Sequence, residues 1–136
     1  MIRLQKTDYL QILSHARACL PEEACGLLAG RCEGEEARVE AVYLLENADH
    51  SPTHFTIAPQ EQLKAILDMR ARGLELLGNW HSHPETPSRP SAEDVRLALD
   101  PTASYLILSL AENEPVLRSF RIMDGRAEQE ELQIEE

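Results

Sequence analysis

Basic residues are in short supply: 13 Lys and Arg stand against 24 Asp and Glu, a net charge of -11 at pH 7 over 136 residues. Nucleic acids and anionic membranes select basic patches, so neither is expected as a partner, whereas a neutral or basic protein is. No apolar run approaches the roughly 18 to 20 residues that span a bilayer. Met1-Ile2-Arg3-Leu4-Gln5-Lys6 lacks a signal-peptide core, which makes the cytoplasm the expected location. Cysteine is sparse and odd in number. Cys19, Cys25 and Cys32 form no Cys-x-x-Cys pair and have no histidine at zinc-finger spacing, so they read as reduced thiols that pack as small hydrophobes. For Cys25 to be a nucleophile, an imidazole would have to lie within hydrogen-bond reach. Repeats, low-complexity segments and interdomain linkers are also missing, and the length suits a single domain, residues 1–136, within the usual range of roughly 100 to 150.

The apolar residues that are present fall into short periodic segments. From Asp8 to Leu20, Tyr9, Ile12, Leu13, Ala16 and Leu20 recur at three-to-four spacing, one face of a helix that Pro21 ends. Gly26 to Arg31 reads as a short apolar strand. Glu33-Gly34-Glu35-Glu36 turns the chain into Ala37 to Leu45, where Val39, Ala41 and Tyr43 alternate with polar neighbours, and a hairpin is predicted. Asn47 to Pro52 reads as a loop, His54 to Ile57 as a brief strand. Pro59 to Arg72 forms a second helix with Leu63, Ile66, Leu67 and Arg70 down one side, opened by its proline and closed by Gly73. Ser104 to Leu110 and Val116 to Met123 are strands. The glutamate-rich tail, Glu128 to Glu136, reads as a solvated end, with Leu132 and Ile134 leaving room for an edge strand. Strands mixed with three helices in this order predict an α/β sandwich with a mixed, mostly antiparallel sheet.

Chemistry concentrates in Trp80-His81-Ser82-His83-Pro84 and in Ser91-Ala92-Glu93-Asp94. The run Leu74 to Asn79 enters a core as a strand, and on a strand residues two apart share a face. His81 and His83 therefore converge. A loop containing Pro84, Pro87, Ser88 and Pro90 can turn back to bring Asp94 beside them, and two histidines with one carboxylate make a three-ligand zinc set with a fourth position for water. Taken alone, Ser91-x-x-Asp94 before Val95, Leu97 and Leu99 is the start of a third helix, with Ser91 as N-cap. The two readings are compatible, because a helix start fixes the direction of Asp94 and holds Ser91 beside the metal. Trp80 points away from His81 and is expected in the core. Asn79 shares the face of His81, where it can orient a ligand or meet substrate. His50 and His54 read as surface residues.

The pattern His-x-His, seven residues, Ser-x-x-Asp resembles that of the JAMM/MPN metalloprotease family, and Pro21-Glu22-Glu23-Ala24-Cys25-Gly26 resembles the family's upstream glutamate segment. The resemblance implies a cytidine-deaminase-like sandwich, a single zinc held by His81, His83 and Asp94, and catalytic roles for Glu23 and Ser91. Glu23 would serve as general base and then as acid to the leaving amine, and Ser91 would donate to the oxyanion. Zinc would lower the pKa of its water toward about 7. Glu22 is the neighbour most easily mistaken for Glu23. The implied reaction is hydrolysis of an amide bond after the C-terminal glycines of a ubiquitin-like or sulfur-carrier protein, as in compact prokaryotic members. Such a tail would add along the edge His54-Phe55-Thr56-Ile57. A metal-free binding scaffold and a hydrolase of small peptides or cysteine conjugates are the alternatives. A deaminase is not supported, since no Pro-Cys-x-x-Cys segment exists.

Overall fold

The hairpin read from the alternation of residues 26–45 is the centre of the molecule. In the computed structural model, which describes residues 1–136, it consists of β2 (Cys25–Glu33) and β3 (Glu36–Leu45), paired antiparallel. Ahead of it lie β1 (Ile2–Gln5) and α1 (Lys6–Cys19); after it come α2 (Pro59–Ala71), β4 (Glu75–His83), α3 (Ala92–Leu97), β5 (Ser104–Ser109), β6 (Val116–Met123), β7 (Arg126–Glu130) and β8 (Leu132–Glu135). All eight strands join one sheet in the order β7-β6-β5-β4-β2-β3-β1-β8. The β4/β5, β1/β3 and β1/β8 pairs are parallel and the others antiparallel, so the sheet is mixed, as expected.

Helices cover both faces. Ile12, Leu13 and Ala16 of α1 pack on Ile2, Leu4, Leu28, Val39, Trp80, Leu106 and Leu108 in the larger core. On the opposite face Ala65 and Met69 of α2 pack on Leu27, Ala29 and Ala41. Leu63 and Leu67, expected on the apolar side of this helix, are instead exposed. The helix is seated by a small and a flexible side chain, which let it approach the sheet closely.

One irregularity decides where the chemistry faces. Leu28 pairs with Gly78 but Ala29 pairs with Leu76, so Leu77 is an extra residue on β4. A bulge of this kind re-aims the side chains beside it. Leu77 joins the core under α1, while Asn79 and His81 line the same cavity as Leu27, on the α2 face. Across the sheet Trp80 is fully buried and its Nε1 donates to the Tyr43 carbonyl at 3.1 Å. Gly26 sits under that bond, and a Cβ there would overlap both the Tyr43 oxygen and Trp80 Nε1.

Three segments differ from the sequence reading. Ile2 to Gln5 is a strand although only two apolar residues mark it; Ile2 and Leu4 are wholly buried, and four residues are too few to show a period. The tail is held in the sheet, and its last part is the edge strand for which Leu132 and Ile134 left room. Residues 126–130 and 132–135 are strands on opposite edges of the sheet, and two of their acids are paired: Glu130 receives Ser104, Ser119 and Arg121, and Glu135 receives Arg3. His54 to Ile57 is not a strand of the sheet. The buried Asn47 side chain captures this segment instead, donating to the His54 carbonyl at 3.0 Å and accepting from Thr56 N–H at 3.2 Å.

Candidate metal centre

His81 and His83 lie at the C-terminal end of β4, beside Ile107 and Ser109 of the parallel strand β5. The following loop is folded back by short hydrogen bonds. The Ser88 hydroxyl donates to the Ile107 carbonyl and the Ser109 hydroxyl to the Thr86 carbonyl, both at 2.6 Å. The loop then delivers α3, whose first turn is a reciprocal capping box: Asp94 N–H donates to Ser91 Oγ at 3.0 Å, and Ser91 N–H donates to Asp94 Oδ2 at 2.9 Å. The helix-cap and metal readings of this motif thus coincide. The oxygen that takes the Ser91 N–H is also the one facing both imidazoles.

His81 Nε2 is 3.1 Å from His83 Nε2, and Asp94 Oδ2 is 3.2 and 3.3 Å from the two nitrogens. The three residues form a group able to hold a metal ion. Zinc ligands at ~2.0 to 2.1 Å in a tetrahedron are separated by roughly 3.3 Å, which is close to these spacings. The donor set fits a cation for a second reason. His83 Nδ1 bonds to the Pro87 carbonyl at 2.9 Å, so that nitrogen carries the proton and the Nε2 lone pair is turned toward the carboxylate and the other ring. Facing electron pairs of this sort call for a positive charge between them.

Electrostatics agree with that picture. Burial alone would raise Asp94, but the imidazoles of His81 and His83 and the Ser91 amide beside it hold it well below the usual carboxylate range. Burial lowers His81, which favours the neutral form that a metal ligand needs. Against His83 burial acts the same way, but its bonds to Asp94 and Pro87 outweigh it and the net shift is upward.

Glu23 is only 4% exposed. Burial pushes its carboxyl up to about 8, with Asp94 and Glu93 adding to the rise and His83 opposing it. Its backbone is pinned on all sides: Glu23 N–H donates to Ser51 O at 2.8 Å, Glu23 O accepts from Asn47 Nδ2 at 3.0 Å, and the next amide donates to Ser82 Oγ at 2.8 Å. Glu22 is only half-buried and pairs with His50 at 3.0 Å, so the two glutamates diverge. Asn47 and Ser82 hold Glu23 in place, and neither was singled out by motif reading. Ser82 does lie between the two histidines, where alternation sends it to the opposite face. Phe55, read from the sequence only as part of the candidate edge, stacks on the His81 ring with centroids 4.7 Å apart.

A cavity of about 290 Å³ opens beside His81 and Asp94, walled by Leu27, Phe55, Ile57, Tyr105 and Ile107. His54 lines it and pairs with Asp49 at 3.0 Å. Cys25 is buried, its thiol pushed up to about 12 chiefly by burial, and the partner of its sulfur is the Leu45 carbonyl. It has no imidazole partner, and the thiol nucleophile has no support.

Residues 6–123 match the family described as prokaryotic homologs of the JAB domain. The chain is 38% identical over 126 residues to the CysO-cysteine peptidase of Mycobacterium tuberculosis, covering 92% of this chain and 85% of that protein. It is 35% identical over 103 residues to the desampylase of Haloferax volcanii, covering 72% and 73% of the two chains. A solution structure of a protein from Desulfitobacterium hafniense is 55% identical and superposes with a TM-score of 0.92, covering 100% of this chain and 94% of that one. With its histidine pair, returning aspartate and buried glutamate on this sheet, the chain belongs to the prokaryotic branch of the JAB, or JAMM/MPN, domain family.

Proposed function

We propose that this chain is a zinc-dependent peptidase that hydrolyses the amide bond following the C-terminal glycines of a ubiquitin-like or sulfur-carrier protein. The observation that carries the reading is the convergence of His81 Nε2, His83 Nε2 and Asp94 Oδ2 within 3.3 Å of one another, with a buried glutamic acid nearby. When bound, the cation would lower the pKa of water from roughly 15.7 toward about 7 and polarise a carbonyl. Every other part of the work falls to side chains of this chain.

Glu23 takes the proton from the attacking water and returns it to the departing amine. A carboxyl held near neutrality by burial suits both halves of that transfer. Ser91 Oγ accepts the Asp94 amide, which leaves its own hydroxyl hydrogen free to donate to the oxyanion of the tetrahedral intermediate. Asp94, fixed by the capping box, and His83, fixed by Pro87, hold their donor atoms in place without further movement.

The substrate proposal draws on the relatives, one of which is named a CysO-cysteine peptidase and another a desampylase. It also draws on the backbone beside the cavity. In the segment 54–57, His54 and Thr56 are tied to the Asn47 loop, whereas the N–H and C=O groups of Phe55 and Ile57 have no partner in the molecule. Alternate residues of an extended segment present their backbone groups to opposite sides, so Phe55 and Ile57 offer a free edge although the segment is no strand of the sheet. A glycine tail needs no side-chain pockets and can pair along such an edge on its way to the ligands. The Ile57→Pro protein should keep its zinc and show a raised KM, because the change removes an amide that bonds nothing within the molecule. An unchanged KM would place the tail elsewhere.

The reading of a metal-free scaffold is less well supported, since every ligand is present. Zinc content after reconstitution, followed by intact-mass analysis of a carrier protein extended by cysteine or a short peptide beyond its terminal glycines, tests the proposal. Loss of the extension only with the metal-loaded protein is the expected result.

A further inference from the structure

Two buried polar atoms have no hydrogen-bond partner in the whole molecule: Nδ1 of His81 and Oδ1 of Asn79. One is a nitrogen that must carry a proton if Nε2 is to coordinate a metal, and the other is an acceptor. They lie two residues apart on β4, where side chains share a face and Cα atoms are roughly 6.5 to 7 Å apart. A buried N–H left unpaired costs ~1 to 3 kcal/mol. Finding a donor and an acceptor orphaned side by side is therefore unlike two independent defects.

The side chains that face His81 and Asn79 across the sheet do not compete for the His81 proton. Across the sheet His81 faces Cys25 and Ile107, and Asn79 faces Leu27 and Tyr105. The Cys25 sulfur is directed to the Leu45 carbonyl at 3.9 Å and the Tyr105 hydroxyl to the Asp100 carbonyl at 3.3 Å. Phe55 covers the ring face with a side chain that carries no acceptor. His83 shows what the arrangement lacks, since its Nδ1 is already held by Pro87 O at 2.9 Å.

We propose that Asn79 is a positioning residue whose Oδ1 closes onto His81 Nδ1–H when the metal binds, fixing the tautomer and the plane of that ligand. The inference rests on the metal-centre reading above. Acceptors of this kind sharpen a histidine ligand, and their loss commonly costs 10- to 100-fold in metal affinity. Because both atoms are unpaired in the fold as it stands, replacing Asn79 with an isosteric leucine removes no existing hydrogen bond.

The test uses the full chain with zinc alone, in Asn79→Leu and Asn79→Asp variants. Zinc affinity is measured by competition with a chromophoric chelator, the state of His81 by long-range proton–nitrogen correlation, and folding of the chelated proteins by thermal melting. The expected result is a 10- to 100-fold weaker zinc affinity in Asn79→Leu with an undiminished melting temperature, loss of its downfield Nδ1–H resonance, and recovery of both in Asn79→Asp. Equal affinity and an unshifted resonance in Asn79→Leu would overturn the proposal while leaving the metal centre standing. Weakening in proportion to a lowered melting temperature would overturn it too, as mere destabilisation. Failure of the unaltered chain to bind zinc would instead remove the functional reading beneath it.

Discussion

Replacing Glu23 by glutamine should change how the metal-stripped protein responds to pH. The carboxyl stands at about 8 in the fold against an ordinary value of 4.5, because burial penalises its charged form. Between those two values the folded chain holds a proton that the unfolded chain has released. Stability therefore falls as pH rises from about 4.5 to about 8 and is level above that. At ~1.4 kcal/mol per unit the shift sets a ceiling near 5 kcal/mol. The high effective dielectric of such sites reduces this to roughly 2 to 3 kcal/mol. Glutamine keeps the shape and never ionises. Chemical denaturation of chelator-treated wild type and Glu23→Gln between pH 5 and 9 reads the difference. The variant should gain on wild type progressively and exceed it by roughly 2 to 3 kcal/mol at pH 9. The shifts of His81 and His83 are present in both proteins, so they largely cancel in the comparison. Parallel profiles would show that Glu23 is not desolvated as described, and its case as a proton carrier near neutrality would fail with it.

Other outcomes follow from the same geometry. With zinc restored, Glu23→Gln should bind the metal normally and lose ~10² to 10⁴-fold in kcat, measured by intact mass against time. Ser91→Ala should lose on the order of 10² to 10³-fold in kcat and also ~1 kcal/mol of stability by denaturant titration, since it removes the N-cap of α3; a stability loss with full kcat would reduce Ser91 to a helix cap. Gly26→Ala should destabilise by more than ~2 kcal/mol or fail to accumulate, because its methyl group meets the Tyr43 carbonyl and Trp80 Nε1, and a melting temperature within a degree of wild type would contradict that packing. Iodoacetamide should modify the exposed Cys32 and leave activity intact, given the buried, poorly acidic Cys25.

The parts of the molecule that the sequence made legible are those with local signatures. The ligand triad was readable because alternation on one strand and a cap three residues long each constrain direction within a few residues. Glu23 was reachable only through resemblance, since nothing in Pro21 to Gly26 by itself says which of two adjacent glutamates turns inward. That choice is made by Ser51, Asn47 and Ser82, which bond the backbone of residues 23 and 24 from distant points. Long-range pairing also explains the strand that the sequence left unmarked and the edge strand that it only allowed. Ile2 to Gln5 and Leu132 to Glu135 are too short to carry a period, and they become strands by lying parallel to each other across the full length of the chain. In the tail, glutamates that read as solvated are consumed by Arg3, Arg121 and two serines. The segment 54–57 misled in the opposite direction: its composition suits a strand, but Asn47 takes up the groups that a neighbouring strand would have needed.

The most direct test of the central claim is the number of zinc ions held per chain by wild type and by Asp94→Ala, measured by elemental analysis after dialysis, alongside cleavage of a carrier protein extended beyond its terminal glycines. The account predicts one zinc per wild-type chain with release of the extension, and loss of both in a folded Asp94→Ala protein. Cleavage that continues in the presence of chelator, or in Asp94→Ala without bound metal, would contradict it.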